Sequence, residues 1–192
     1  MNELSNPSSD KALWFDQADF GHKFMALTFS AWTAWIDTLQ DATRWKKKQY
    51  ADATIRKFLE EPSVRNAMLM MDWRERIIVL PEEQAVFLGE KKFNYHEDNL
   101  PTALSAKPSF SLEETVIRDC FDAFFTGIEQ FSALVDSGMM EHDDFKPYLR
   151  DCADLLRGRR PDRSSTTLAA IDGYAAEYFD RDKIVAFLDA LQ

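Results

Sequence analysis

Between residues 136 and 145 the chain reads DSGMMEHDDF, a run with the spacing of half a calcium loop. A helix-loop-helix calcium site places Gly at loop position six, an apolar residue at eight, an acid at twelve and an aromatic just beyond. Gly138, Met140, Asp144 and Phe145 meet all four requirements. Positions one, three and five must also offer oxygen, and there the chain has Ala133, Val135 and Ser137. Ala and Val have no side-chain ligand, so what survives is turn chemistry: a Gly able to take positive φ, and apolar residues clamping two helices. The motif predicts a helical hairpin without calcium.

A second constellation lies in PEEQAVFLGEKK, residues 81–92. An acid after a strand-like run, followed by Glu-x-Lys after another, resembles metal-dependent nucleases, whose carboxylates on neighbouring strands hold Mg²⁺ while the Lys orients a water. Here the residues are Glu82, Glu90 and Lys92, with Glu at the first position where Asp is usual and no parallel, helix-flanked sheet around it. A metal-dependent nuclease is the enzymatic alternative they leave open. His22, His96 and His142 stand apart, with no HxxxH or ExxH spacing, and neither Cys120 nor Cys152 belongs to a CxxC pair. GxSxG, GxxxxGK[ST] and GxGxxG are absent. No catalytic residue, metal site or cofactor is expected.

The elements that would position any site read as mostly helical. Gly and Pro number six and seven in 192 residues, few for a chain built on tight turns, and apolar residues reach 45%. Phe20, Phe24, Leu27, Ala31 and Trp35 form one helical stripe, and Met25, Phe29, Trp32, Ile36 and Leu39 another. Charge is absent from Phe24 to Ile36, thirteen residues, whereas a bilayer span needs about 20. That helix is therefore expected to be buried by the rest of the fold or by a second copy, with an interfacial or partner-binding helix as the alternative, rather than to cross a membrane. Periodicity continues through Trp45, Ile55 and Phe58, and Pro62 opens a further short helix. RIIVL (76–80) and AVFLG (85–89) read as a small β-hairpin, and 89–110 as a long connection.

Ser111 and Glu114 have capping-box spacing. Val116, Cys120, Phe124, Ile128, Phe131 and Val135 then line a long helix, and a second, over 143–157, carries Phe145, Leu149, Cys152 and Leu155. These two helices should run side by side about Gly138, with two shorter ones closing the chain. The expectation is an all-α antiparallel bundle, one helical domain over 1–192, with a subdivision into 12–88, the connection 89–110, and 111–192.

Charge narrows the partners. The net charge is −10, and residues 113–154 hold eleven acids against three bases. Broad nucleic-acid binding rests on cationic contacts and is not expected. The acidic belt leaves open an inhibitor protein that mimics nucleic acid. Two basic clusters oppose it, RWKKK (44–48) and RGRRPDR (157–163). Large aromatic and Arg side chains supply most interface energy, so Trp32, Trp35 and Trp45, with the basic run Lys46, Lys47 and Lys48 beside them, are the candidate contacts for a protein partner or a second copy. No small-molecule ligand is indicated. The opening MNELSNPSSD lacks a basic and an apolar signal region, and a cytoplasmic location is expected.

VRNAMLMMDW followed by RIIVL, and then IRDCFDAFFTGIEQFSALVDSGMMEHDDFKPYL, resemble a pattern in bacterial helical proteins of unknown function, some of which begin with a membrane helix. The resemblance spans about residues 45–190. It implies a bacterial origin and a helical fold, with no activity. The combined reading is a non-catalytic interaction or accessory protein.

Overall fold

The computed structural model describes residues 17–157, 159 and 163–191, with residues 17–28 as helix backbone. Helix α1 spans Gln17–Glu60. Pro62 then sits at the start of α2, Pro62–Asp72, where its missing N–H costs nothing because first-turn amides have no helical acceptor. Strand β1, Glu75–Val79, leads into α3, Glu82–Leu88, and β2, Lys92–His96. Four further helices follow a short α4, Asn99–Ala103: α5, Leu112–Asp136; α6, His142–Leu156; α7, Ser165–Tyr178; and α8, Arg181–Asp189. The chain is mainly α-helical with one small antiparallel sheet among the described residues.

That sheet corrects one detail of the sequence reading. β1 pairs with β2, Ile78 opposite Phe93 and Arg76 opposite Tyr95, so the second strand is 92–96 rather than 85–89. AVFLG belongs instead to α3. Glu82 and Glu83 sit in its first turn, where acids favour the positive end of the helix dipole, and Gly89 ends it at φ 79°. In β2, Phe93 and Tyr95 point inward and Lys92, Asn94 and His96 outward, the period-two pattern of a half-buried strand.

The chain divides into two units, Met1–Lys46 and Lys47–Gln192. Within the second unit one core runs from Ala51 to Leu191. α5 is its axis. Ile117, Cys120, Phe121, Phe124, Phe125, Ile128 and Phe131 are all buried, so this helix is covered on more than one side, by α2, α3, α4 and α8. A run of rings joins four elements: Phe58 of α1 lies 4.8 Å from Phe131, Phe131 4.7 Å from Phe145 of α6, and Phe145 5.1 Å from Phe187 of α8. Each such ring contributes about 1.5–3 kcal/mol by leaving water.

The turn between α5 and α6 takes the expected form, with Gly138 at φ 70° and Met140 buried beneath it. The two helices do not, however, lie side by side along their lengths. They meet near the turn through Phe131 and Phe145, while α2 and α8 each pack against both. Cys120 and Cys152 share the core but face different neighbours. Gln84 of α3 approaches the first, and Met68, Leu69 and Met71 of α2 border a cleft beside the second. The physical reason is volume: α5 is apolar on more faces than one neighbouring helix can cover.

Candidate interaction site

The first unit carries the largest exposed apolar side chains of α1. Phe29 is 68% exposed, Trp32 59% and Trp35 56%, and Leu39 is exposed beside them. The expectation that this helix is core is therefore corrected for its described side chains. Phe20, Phe24, Met25 and Leu27 lie outside them. At about 100° per residue, Trp35, Leu39, Trp32, Ile36 and Phe29 fall within an arc of about 120°. Asp37, Asp41 and Arg44 lie on the opposite side of the helix by the same geometry. The surface is thus an amphipathic stripe whose apolar side chains Phe29, Trp32, Trp35 and Leu39 are exposed.

The other candidate contacts separate from that stripe. Trp45 is exposed but sits about 140° round the helix from Trp32, among the charged positions. Lys46, Lys47 and Lys48 are exposed as well. Lys47 donates from Nζ to the Gly138 carbonyl at 2.7 Å, which employs it in holding the α5–α6 turn. Of the six residues, Trp32 and Trp35 lie on that face beside Phe29, Ile36 and Leu39; Lys46 and Lys47 fall in the same arc about two turns beyond Leu39, and Trp45 and Lys48 fall outside it. The seven-residue repeat was visible in the sequence; its exposure was not, since an apolar stripe shows that a surface must be covered without showing by what.

The second basic cluster is largely internal wiring. Arg157 pairs with Asp189 at 2.6 Å and Arg159 with Asp154 at 3.3 Å, while Arg163 is buried against Glu97 at 3.6 Å. Positions 158 and 160–162 fall outside the described residues. Glu97 also accepts from the Ser164 N–H at 3.0 Å and pairs with Arg74 at 3.3 Å, so it ties the end of β2 to the start of α7. Burial alone would raise its carboxyl, but the Ser164 and Thr167 hydrogen bonds and the two guanidinium groups outweigh it and hold the group below the usual range.

Arg118 plays a parallel role. It donates to the Ala103 and Ser105 carbonyls at 3.1 and 3.3 Å and lies over Phe110, Tyr174 and Tyr178 at 4.2, 4.7 and 5.0 Å. Neither cluster was legible in the sequence, because their members are brought together from distant segments.

The nuclease constellation does not assemble as two strands. Glu82 sits in the first turn of α3, Glu90 follows Gly89 in a bend, and only Lys92 is on a strand. Glu82 and Glu90 do border one open cleft of about 670 Å³, together with Val79, Val86 and Lys91. Among the described residues no group of three or more His, Cys, Asp or Glu is placed to hold a metal ion.

Part of the acidic belt is committed to structure. Glu114 accepts from Lys107 and the Ser111 N–H, Asp122 from the Tyr174 hydroxyl at 2.5 Å, Glu129 from the Asp180 N–H, and Asp144 from the Glu141 N–H. These four carboxylates are hydrogen-bonded within the chain, and Asp122 among them is also exposed.

No described helix is long and apolar enough to cross a membrane. Comparison with known proteins finds no matching family model, curated protein or solved structure.

Proposed function

We propose that this chain is a non-catalytic interaction or accessory protein, bacterial and cytoplasmic, that engages a protein partner through the aromatic stripe of α1. The carrying observation is the exposure of Phe29, Trp32 and Trp35 on one face of a helix whose charges lie on the other. Contiguous exposed apolar surface of this kind is rare on monomeric proteins and marks interaction sites. Trp is also among the residues whose truncation most weakens interfaces. The buried core among the described residues is drawn from 51–191, and the exposed side chains of the stripe are not among its members.

The test is a comparison of affinity capture from bacterial lysate by the wild-type chain and by Trp32→Ala/Trp35→Ala. Specific species that co-elute with the wild type should vanish with the variant, while its melting temperature stays unchanged. Equal capture by both proteins would overturn the reading.

A further inference from the structure

Resting on that reading, we infer that the occupant of the α1 stripe is the same stripe of a second copy, the two helices pairing as a short coiled coil. Phe29, Trp32, Ile36 and Leu39 are spaced three, four and three residues apart, and Met25 extends the same alternation in the sequence. This is the repeat that keeps one seam facing one partner helix. The seam is self-complementary in charge. The positions flanking it, Thr33, Trp35, Gln40 and Ala42, are all uncharged, so pairing two identical helices over residues 29–42 opposes no like charges, and Lys46 and Lys47 end the seam. Asp37, Asp41 and Arg44 fall at the outward positions, where they keep the pair in water.

Size and charge separate this occupant from a lipid surface. At their observed exposures, Phe29, Trp32, Trp35 and Leu39 offer on the order of 500 Å² per copy. Two copies together reach the roughly 1,000 Å² at which specific interfaces begin. A helix lying on an anionic bilayer instead lines its polar face with Lys and Arg. Between Lys23 and Arg44 this chain has no cation, and the side facing away from the stripe carries Asp37 and Asp41.

Sedimentation equilibrium of the full chain, over protein concentrations from about 1 to 100 µM, tests the pairing. Wild type should shift from monomer to twice the monomer mass. Trp32→Glu/Ile36→Glu should raise the dimer Kd by more than about 30-fold. Far-UV circular dichroism at about 1 µM, where both proteins are monomeric, should show the same thermal transition for the two, which separates lost pairing from lost folding.

Wild type remaining monomeric across the range overturns self-pairing. The interaction reading then still stands if capture depends on Trp32 and Trp35, and flotation of the chain with phosphatidylglycerol vesicles would assign the stripe to lipid. A dimer that survives Trp32→Glu/Ile36→Glu overturns the inference by placing the contact elsewhere.

Discussion

Gly127 is where the Phe58 ring crosses α5, and a Cβ built there would overlap that ring. Phe58 cannot simply withdraw, because it is packed on Phe131 and Phe124. Gly127→Ala should therefore destabilise by about 1–3 kcal/mol, read as a lower urea midpoint at constant slope. Gly138 presents the contrasting demand: nothing lies within 4 Å, and the need is for φ of 70°.

The sequence made the second glycine legible through its loop spacing and left the first silent, because close approach depends on a residue 69 positions earlier. Glu97 is silent for the same reason. Its folded carboxyl is held below the ordinary value of 4.5, so the stability it contributes is present above that value and lost as pH falls through the lowered one. Glu97→Gln leaves Arg163 buried without its countercharge and should cost ~3 kcal/mol at pH 7. In urea titrations the gap between wild type and variant should narrow as pH drops below 4.5. A gap independent of pH would mean that Glu97 contributes through shape alone.

At the scale of elements, Ser111 shows how local chemistry reads directly. Its side chain accepts from the Glu114 N–H at 3.2 Å while Glu114 accepts from the Ser111 N–H at 2.8 Å. Ser111→Ala should lower stability by about 1 kcal/mol, measured by chemical denaturation. Helices α2, α5 and α6 were legible because each has a boundary signal and an apolar period. The region 82–96 misleads because its two signals conflict. AVFL is β-prone, yet Pro81, two leading acids and Gly89 bracket it as a helix, and these termini win. KFNYH has strand alternation carried by only two apolar side chains, Phe93 and Tyr95, too short a pattern to stand out from a connecting segment. Its pairing with β1 comes from the inward contacts of Tyr95, whose hydroxyl donates to the Met70 carbonyl at 2.9 Å.

At the scale of the molecule, the buried core of the described residues runs from Ala51 to Leu191 within the second unit, and Phe29, Trp32 and Trp35 of the first are exposed. Apolar periodicity alone assigns Phe29, Trp32 and Trp35 to a core, since burial within the chain and burial against a partner favour the same side chains. The two roles differ in what truncation does to the isolated chain. A core tryptophan exchanged for Ala costs about 3–5 kcal/mol, whereas an exposed substitution away from the core stays within about 0.5 kcal/mol. Equilibrium urea unfolding of Trp32→Ala/Trp35→Ala, at a concentration low enough to keep the chain monomeric, therefore bears directly on the claim that this stripe serves contact. The expected free energy of unfolding equals that of the wild type within about 0.5 kcal/mol; a loss of about 3 kcal/mol or more would return the two tryptophans to the core and contradict the account.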